Sequence, residues 1–287
     1  MGCNSGKINR KEKAEIIKNA IDIDNYKAMA DLLNQEIKST KNPELVDQPQ
    51  LNYDGFTFSV FGYSLYKGQT NCFKCLYKNY KAGVLELINS YHSQGLNPVS
   101  VLCSLGNVDL LRYFFPIYLE TKEACEFQEV TSLFTPVQVA AKCGHISILN
   151  YFNQYFKGKP PYSYDAKGRN IQGENSATLA LKEGQYSTLK YIHEKLGVSI
   201  DGIKDPIGIC LIGASEKKGR EYLECAVYII ETLNYSVRKH HLSLLNDNDL
   251  FSRYLNTKYL ENEITQLPNV SQGSVATNIS TEYPSLA

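Results

Sequence analysis

Cys72 and Cys75 form the one Cys-x-x-Cys pair in the chain, a spacing found in disulfide exchange and in zinc sites. A redox pair of this kind needs a βαβ setting, and a zinc site needs further ligands, of which His92 is the nearest candidate. The residues around the pair follow a helical pattern, so two cysteines on one face of a packed helix are the favoured interpretation. A thiol redox or zinc protein that uses Cys72 and Cys75 stays as the alternative.

Three other patterns that could carry chemistry are incomplete. The segment 208–215 has the glycines of a phosphate-binding loop, but Ala214 stands where the loop needs a lysine. His240 and His241 are adjacent and are interpreted as a surface pair rather than a metal site. No pattern places a nucleophile beside a base, such as G-x-S-x-G or H-E-x-x-H. The sequence therefore predicts no catalytic residue, metal ligand, cofactor or enzymatic activity.

The N-terminal segment, up to Lys13, resembles the start of a lipid-anchored protein. Gly2 follows the initiator Met, as in N-myristoylated proteins, although Gly6 stands where the strict motif has Ser or Thr. Cys3 could accept a second acyl chain, and, against the single Glu12, a basic cluster follows it: Lys7, Arg10, Lys11 and Lys13. A second acyl chain or a basic patch turns marginal myristoyl binding into stable attachment. The sequence thus favours attachment to an anionic membrane on its cytoplasmic side, and an unmodified N-terminus is the alternative.

Charge and composition limit the classes of function. The chain has 30 Lys and Arg against 30 Asp and Glu, so it lacks the basic surplus typical of nucleic-acid binding, and no nucleic-acid partner is expected. Hydrophobic residues make up 43% and charged residues 21%, as in globular proteins. No apolar run reaches the roughly 18 residues of a membrane span. No apolar signal segment precedes the 8 cysteines, so free thiols in the cytoplasm are expected.

The clearest structural pattern is a pair of helices over residues 135–152. Thr135 is a typical N-cap, Pro136 suits the first helical position, and Gln138 completes the spacing of a capping box. Gly144 supplies the left-handed residue that ends the first helix. Small residues on the first helix and apolar residues at helical spacing on the second allow close packing: Ala140, Ala141, Ile146, Leu149 and Phe152.

The unit recurs along the chain. Pro98 and Gly106 repeat the spacing of Pro136 and Gly144, and Gly184 continues the series of glycines at a similar interval. The sequence therefore predicts at least three stacked units in the middle of the chain.

The units at either side are less regular. A poorer unit starts at residues 205–206, and residues 13–34 have the pattern of a helix pair. Residues 70–90 fit a further unit that lacks the central glycine, and the segment 54–57 could open that unit instead. The register before residue 97 stays open.

The 135–152 unit resembles an ankyrin repeat, whose pattern is Thr-Pro-Leu-His-x-Ala-Ala, then Gly-His, then an apolar second helix; Gln138 replaces the first His. The resemblance covers residues 13–240. It implies an all-α, ankyrin-like solenoid of stacked helical hairpins, with a structural role for His145 in the Gly-His pair. It also implies a non-catalytic scaffold or adaptor that binds an unidentified protein partner. Because the interval between successive units exceeds the ankyrin consensus, long inter-repeat loops are expected at about 120–134 and 157–174.

The second of these loops offers candidate partner-binding residues, because tyrosine and arginine are enriched at binding hot spots: Tyr162, Tyr164, Lys167 and Arg169. A solvated loop whose tyrosines pack on their own repeat is the alternative. Four segments are expected along the chain: a basic N-terminal segment at 1–12, the repeat domain at 13–240, a helical cap or linker at 241–265, and a disordered tail at 266–287.

Overall fold

The computed structural model describes residues 10–40, 47, 51–80, 82–125, 133–200, 202–217, 219–244 and 250–266. Fifteen α-helices and one two-stranded β-sheet make up these segments. Fourteen of the helices form seven hairpins: α1 (Arg10–Asp22) with α2 (Tyr26–Thr40), α3 (Val60–Tyr66) with α4 (Thr70–Tyr80), α6 (Pro98–Leu105) with α7 (Val108–Cys125), α8 (Pro136–Lys142) with α9 (Ile146–Tyr155), α10 (Ser176–Lys182) with α11 (Tyr186–Leu196), α12 (Pro206–Lys217) with α13 (Arg220–Glu231), and α14 (Lys239–Leu242) with α15 (Leu250–Gln266). The remaining helix, α5 (Val84–Ser93), packs against α3 and α7.

The first helices of the hairpins lie in one layer and the second helices in another. In the first layer, α1, α3, α6, α8, α10, α12 and α14 contact one another in that order. In the second layer, α2 contacts α4, the Phe73 ring of α4 meets the Phe114 ring of α7 edge-on, and α7, α9, α11 and α13 follow in sequence. The buried side chains form one continuous core. A lone hairpin cannot bury its apolar face, so stacking is what stabilises each repeat.

The helix starts and stops of the central repeats follow from local side chains. The Thr135 hydroxyl accepts the N–H of Gln138, and the Gln138 side chain accepts the N–H of Thr135 at 3.0 Å. Asparagine side chains cap two further first helices: Asn97 on α6 and Asn175 on α10. Prolines occupy the first turn of α6 and α8: Pro98 and Pro136. Left-handed glycines, which adopt this conformation without strain, follow the three helices: Gly106, Gly144 and Gly184. Two small residues of α8 are fully buried: Ala140 and Ala141.

A β-hairpin resolves the register that the sequence left open. Strands β1 (Leu51–Tyr53) and β2 (Phe56–Phe58) pair antiparallel through a turn in which Asp54 and Gly55 both have positive φ. This is the Asp-Gly turn that favours a two-residue β-hairpin. Ser59 then caps α3, and Gly68 is the central glycine of the α3–α4 repeat. The segment 54–57 therefore does not start a helix, and residues 70–90 are not one repeat.

The predicted loops between repeats contain short stretches of helix. Helix α7 continues to Cys125, so the beginning of the loop expected at 120–134 is helical. The 157–174 loop carries a 3-10 turn at Tyr162–Tyr164. Within the described ranges, no helix combines the length and apolar character that crossing a membrane requires.

Candidate interaction surface

Five residues form a line across the first layer of helices, and we call this line the exposed row. Each residue stands directly before a left-handed residue that ends a first helix: Ile23, Lys67, Leu105, Cys143 and Glu183. All five are exposed or half-exposed; Leu105 keeps 46% of its surface open to solvent. Because the first helices stack in order, these side chains follow one another along one side of the solenoid.

Three repeats are joined beside the exposed row by the residue that follows the left-handed position. The side chain of that residue reaches back to a backbone carbonyl at the end of the preceding first helix. Gln69 donates to Asp22 O at 2.9 Å, Asn107 donates to Gly68 O at 2.6 Å, and His145 donates to Ser104 O at 3.0 Å. These bonds satisfy carbonyls that a helix end leaves without an intrahelical partner. They therefore join one repeat to the next directly beneath the row.

The first helices also carry half-buried and exposed apolar residues. Val101 of α6, Val139 of α8 and Ile209 of α12 are half-buried, and Ile212 of α12 is exposed. Charged side chains are interspersed: Lys142 pairs with Glu183 at 3.7 Å and lies 5.1 Å from the centre of the Phe134 ring, and Lys182 pairs with Glu174. The surface thus mixes exposed apolar residues with charges of both signs.

One of the four residues that the sequence singled out in the 157–174 loop is not on the surface. Tyr164 is buried, and its ring packs against Phe115, Phe152 and Phe156 at centroid distances of 5.0, 5.2 and 5.5 Å. The predicted contact role of Tyr164 is therefore corrected to a core role, because the loop folds back onto α9 and α7.

The other three candidates of this loop are exposed. The Tyr162 hydroxyl donates to Arg169 O, and the Arg169 guanidinium donates to Gly173 O at 2.7 Å, so both side chains brace the loop. The backbone N–H of Lys167 is held by the Asp165 carboxylate, and its side chain is exposed. Ile171, which the sequence reasoning missed, is 90% exposed at the loop tip. Its position between Asn170 and the left-handed Gly173 is a turn signal that could have found it.

The cysteine pair is part of the core. Cys72 and Cys75 are both buried on α4. Burial, together with the nearby Asp24 carboxylate, raises the pKa of Cys72 far above that of a free thiol, and burial also raises the pKa of Cys75. Thiol exchange and zinc binding both require the thiolate, which this environment disfavours. Six cysteines of the described segments are free thiols: Cys72, Cys75, Cys103, Cys143, Cys210 and Cys225.

In the part of the chain that the structure describes, one cluster brings three metal-ligating groups together: Asp205, His240 and His241. His240 Nε2 lies 2.9 Å from Asp205 Oδ2, and His241 Nε2 lies 2.8 Å from Asp205 Oδ1. The interpretation of an exposed histidine pair is wrong for His241, which is only 1% exposed. Burial of the Asp205 carboxyl opposes its ionisation, but hydrogen bonds from His240, from the Gly208 N–H and from His241 outweigh burial and lower its pKa to about 2.

The protonation of His241 argues against a metal at this cluster. Its Nδ1 accepts the backbone N–H of Arg238 at 2.9 Å, so the proton of the neutral ring resides on Nε2. A metal bound through Nε2 would move that proton to Nδ1, where it would face the Arg238 N–H. The other ring nitrogen of a metal-bound histidine normally donates to an acceptor instead. The cluster is therefore a set of hydrogen bonds between α14 and the start of α12.

The structure describes only some of the residues in the basic N-terminal cluster. Gly2, Cys3 and Lys7 lie outside the described residues. Arg10 and Lys11 open α1, and the Lys13 ammonium pairs with the Glu36 carboxylate of α2 at 2.6 Å. Lys13 therefore also stabilises the first helical hairpin.

The similarity of the chain to known proteins rests on its fold. No protein-family model matches the sequence, and no curated protein matches it either. Among solved structures, it is similar to the ankyrin repeat domain of human ASB11, with a TM-score of 0.52 and 16% sequence identity. That match covers 84% of this chain and 96% of the other. The chain has the ankyrin-repeat fold, which confirms the predicted all-α solenoid of stacked helical hairpins.

Proposed function

We propose that the protein is a non-catalytic scaffold that binds a protein partner through the exposed row and the tip of the 157–174 loop. The observation that carries the proposal is the row itself. Ile23, Leu105 and Cys143 are exposed along the stack, although the chain buries comparable residues elsewhere. Exposed apolar residues grouped on one face of a protein indicate an interaction surface. The ankyrin-repeat fold supports protein binding as the general mode of action.

The surface is better suited to a protein than to other ligands. The balance of 30 basic and 30 acidic residues offers no basic field for nucleic acid. Two cavities of the described chain measure about 160 and 260 Å³, below the roughly 300 to 1,000 Å³ of typical small-molecule sites. A line of apolar and charged residues across stacked helices matches instead the mixed chemistry of another protein's surface.

Two leucines provide a matched pair of variants. Leu105 lies in the exposed row, whereas Leu260 lies on α15 and is 58% exposed. Affinity capture from cells that express the protein compares the wild type, Leu105→Asp and Leu260→Asp. We expect Leu105→Asp to lose proteins that the other two chains retain. Equal capture by all three chains, or no specific capture by any, would contradict the proposal.

We further propose that acylation at Gly2 and Cys3 holds this scaffold at an anionic membrane. The support lies in the sequence: an acceptor glycine, an adjacent cysteine and a basic cluster that ends at Lys13. Flotation of the wild type, Gly2→Ala and Cys3→Ser from eukaryotic cells tests it. Loss of flotation in Gly2→Ala is the expected result. If wild type and Gly2→Ala both stay at the bottom of the gradient, the protein is an adaptor without a lipid anchor.

A further inference from the structure

The C-terminal hairpin is attached to the preceding repeat by a buried histidine, His241, and by the bonds of Tyr254 and Lys258 to Glu231 of α13. Helix α14 contacts both α12 and α15, and the buried residues of this region include Val237, His241 and Leu255. His241 uses both ring nitrogens: Nδ1 accepts the Arg238 N–H at 2.9 Å, and Nε2–H donates to Asp205 Oδ1 at 2.8 Å. It therefore caps the start of α14 and also ties α14 to the residue that precedes α12.

In another repeat, a side chain that does not titrate both caps a first helix and bonds to a distant segment. In α8, Gln138 accepts the Thr135 N–H at 3.0 Å and donates to Gly168 O at 2.9 Å. Gln138 and His241 each occupy the third helical position after the cap residue, and both are buried. The two side chains thus have the same hydrogen-bonding role, but only the imidazole of His241 is a titratable group.

Protonation of His241 is incompatible with this arrangement. A second ring proton would sit on Nδ1 and face the Arg238 N–H, so one hydrogen bond would become a contact between two donors. The charged groups around the ring act in both directions. The Asp205 carboxylate favours a charged ring, whereas His240 and Arg238 disfavour it. Lys204 lines the neighbouring cavity.

Further charged residues lie on α14 itself and on α15. Lys239 is exposed on α14 itself. On α15, which packs against α14, the charged residues are Arg253, Lys258, Glu261 and Glu263, and Lys258 pairs with Glu231 and Glu261. Burial is the largest influence on His241, and it lowers the pKa of the ring. A histidine freed from the docked hairpin would therefore bind a proton more readily than the docked one.

We propose that His241 makes the docking of the α14–α15 hairpin sensitive to acid: the neutral ring holds the hairpin on α12, and its protonation releases the hairpin. A cavity of about 260 Å³, lined by His241 with Lys204, Asn234 and Arg238, lies beside the ring and offers a route for the proton. Release would separate the hairpin from the stack and so expose apolar residues of the hairpin and of the segment before it, including Leu255 and Val237.

The sign and size of the effect follow from proton linkage. Because the open state binds the proton more tightly, docking is fully stable above about pH 6.5 and weakens as the pH falls below that value. Between pH 7.5 and 5.5, the opening equilibrium rises by at most about tenfold if only the open state is protonated. Asp205, with a pKa of about 2, stays ionised throughout this interval.

Hydrogen exchange of the full chain, read by mass spectrometry and corrected for intrinsic exchange rates, tests the proposal. Peptides from α14 and α15 are followed at pH 7.5 and 5.5 in the wild type, His241→Gln and His240→Gln, with α8 peptides as the internal reference. We expect opening of α14–α15 to rise about five- to tenfold in the wild type and in His240→Gln, and less than twofold in His241→Gln. The wild-type profile is decisive even if His241→Gln folds poorly. An unchanged wild-type opening, a response retained by His241→Gln, or a response lost in His240→Gln would overturn the proposal.

Discussion

The ring of His145 lies over Gly106, the residue that ends the first helix of the preceding repeat. A Cβ at Gly106 would stand 2.6 Å from Cε1 of this ring, and His145 Nε2 donates to Ser104 O. Gln185 covers Gly144 in the same way, with its Oε1 where a Cβ would lie. Glycine at these positions thus serves two needs, the left-handed backbone and the space for the next repeat.

Substitution of Gly106 separates these two needs. Gly95 also has a positive φ, but a Cβ there would meet nothing within 4 Å. Both Gly106→Ala and Gly95→Ala incur the left-handed penalty of about 1 to 2 kcal/mol. We expect Gly106→Ala to lose at least about 1 kcal/mol more, because the His145 ring must move. Urea unfolding measures the difference, and equal losses would show that the ring does not constrain Gly106.

Substitution of the two tyrosines of the 157–174 loop is expected to lower the stability of the protein by different amounts. Tyr164→Ala removes a buried ring from a cluster of three phenylalanines and should cost about 3 kcal/mol or more. Tyr162→Ala removes an exposed ring and its hydrogen bond to Arg169 O, and should cost about 1 kcal/mol. Thermal or urea unfolding compares the two variants. A Tyr164→Ala loss no larger than that of Tyr162→Ala would place Tyr164 outside the core.

Asp205 should contribute to stability at acid pH in a predictable direction. Its pKa in the folded chain is about 2, below the 3.8 of an unperturbed carboxyl. The stabilisation is therefore present above about pH 4 and is lost as the pH falls towards 2. Asp205→Asn keeps an acceptor oxygen for the Gly208 N–H but carries no charge. We expect the urea midpoint of the wild type to fall more steeply than that of Asp205→Asn between pH 5 and pH 2; parallel curves would contradict the ionic role.

Thiol labelling should distinguish exposed from buried cysteines. The Cys143 side chain is exposed in the row, whereas Cys72 is buried; partial burial raises the pKa of Cys143 too, but its thiol is open to a reagent. The native protein is labelled with a maleimide and its reactive thiols are counted. Compared with the wild type, Cys143→Ser should have one reactive thiol fewer, and Cys72→Ala should have the same number. A reactive site lost in Cys72→Ala would revive the thiol redox or zinc alternative.

The central repeats could be predicted from sequence because their helix boundaries are encoded locally. Thr135, Pro136 and Gly144 each specify a cap or a stop whatever lies around them. The start of the α3–α4 repeat was harder to predict, because the Asp54-Gly55 turn fits both the start of a repeat and a β-hairpin. Gly68 nevertheless precedes Gly106 by the same interval that separates Gly106 from Gly144.

The site residues depend on tertiary contacts that spacing does not encode. Tyr162 and Tyr164 are close neighbours in sequence, yet one is exposed and the other is buried among rings from α7 and α9. His241 joins α14 to the repeat before it only because Asp205, which is distant in sequence, lies next to it in the fold. Four residues of the exposed row could be read from the sequence once the glycine positions were known, because each of them precedes a left-handed glycine, whereas Ile23 precedes Asp24.

The measurement that tests the central claim most directly is calorimetric titration of a captured partner against the wild type, Leu105→Asp and Leu260→Asp. If the exposed row is the binding surface, Leu105→Asp weakens binding at least about tenfold, or about 1.4 kcal/mol, because a carboxylate replaces an apolar contact. Leu260→Asp, on α15, should change the affinity less than about twofold. Equal affinities for the wild type and Leu105→Asp would show that the partner binds elsewhere on the solenoid.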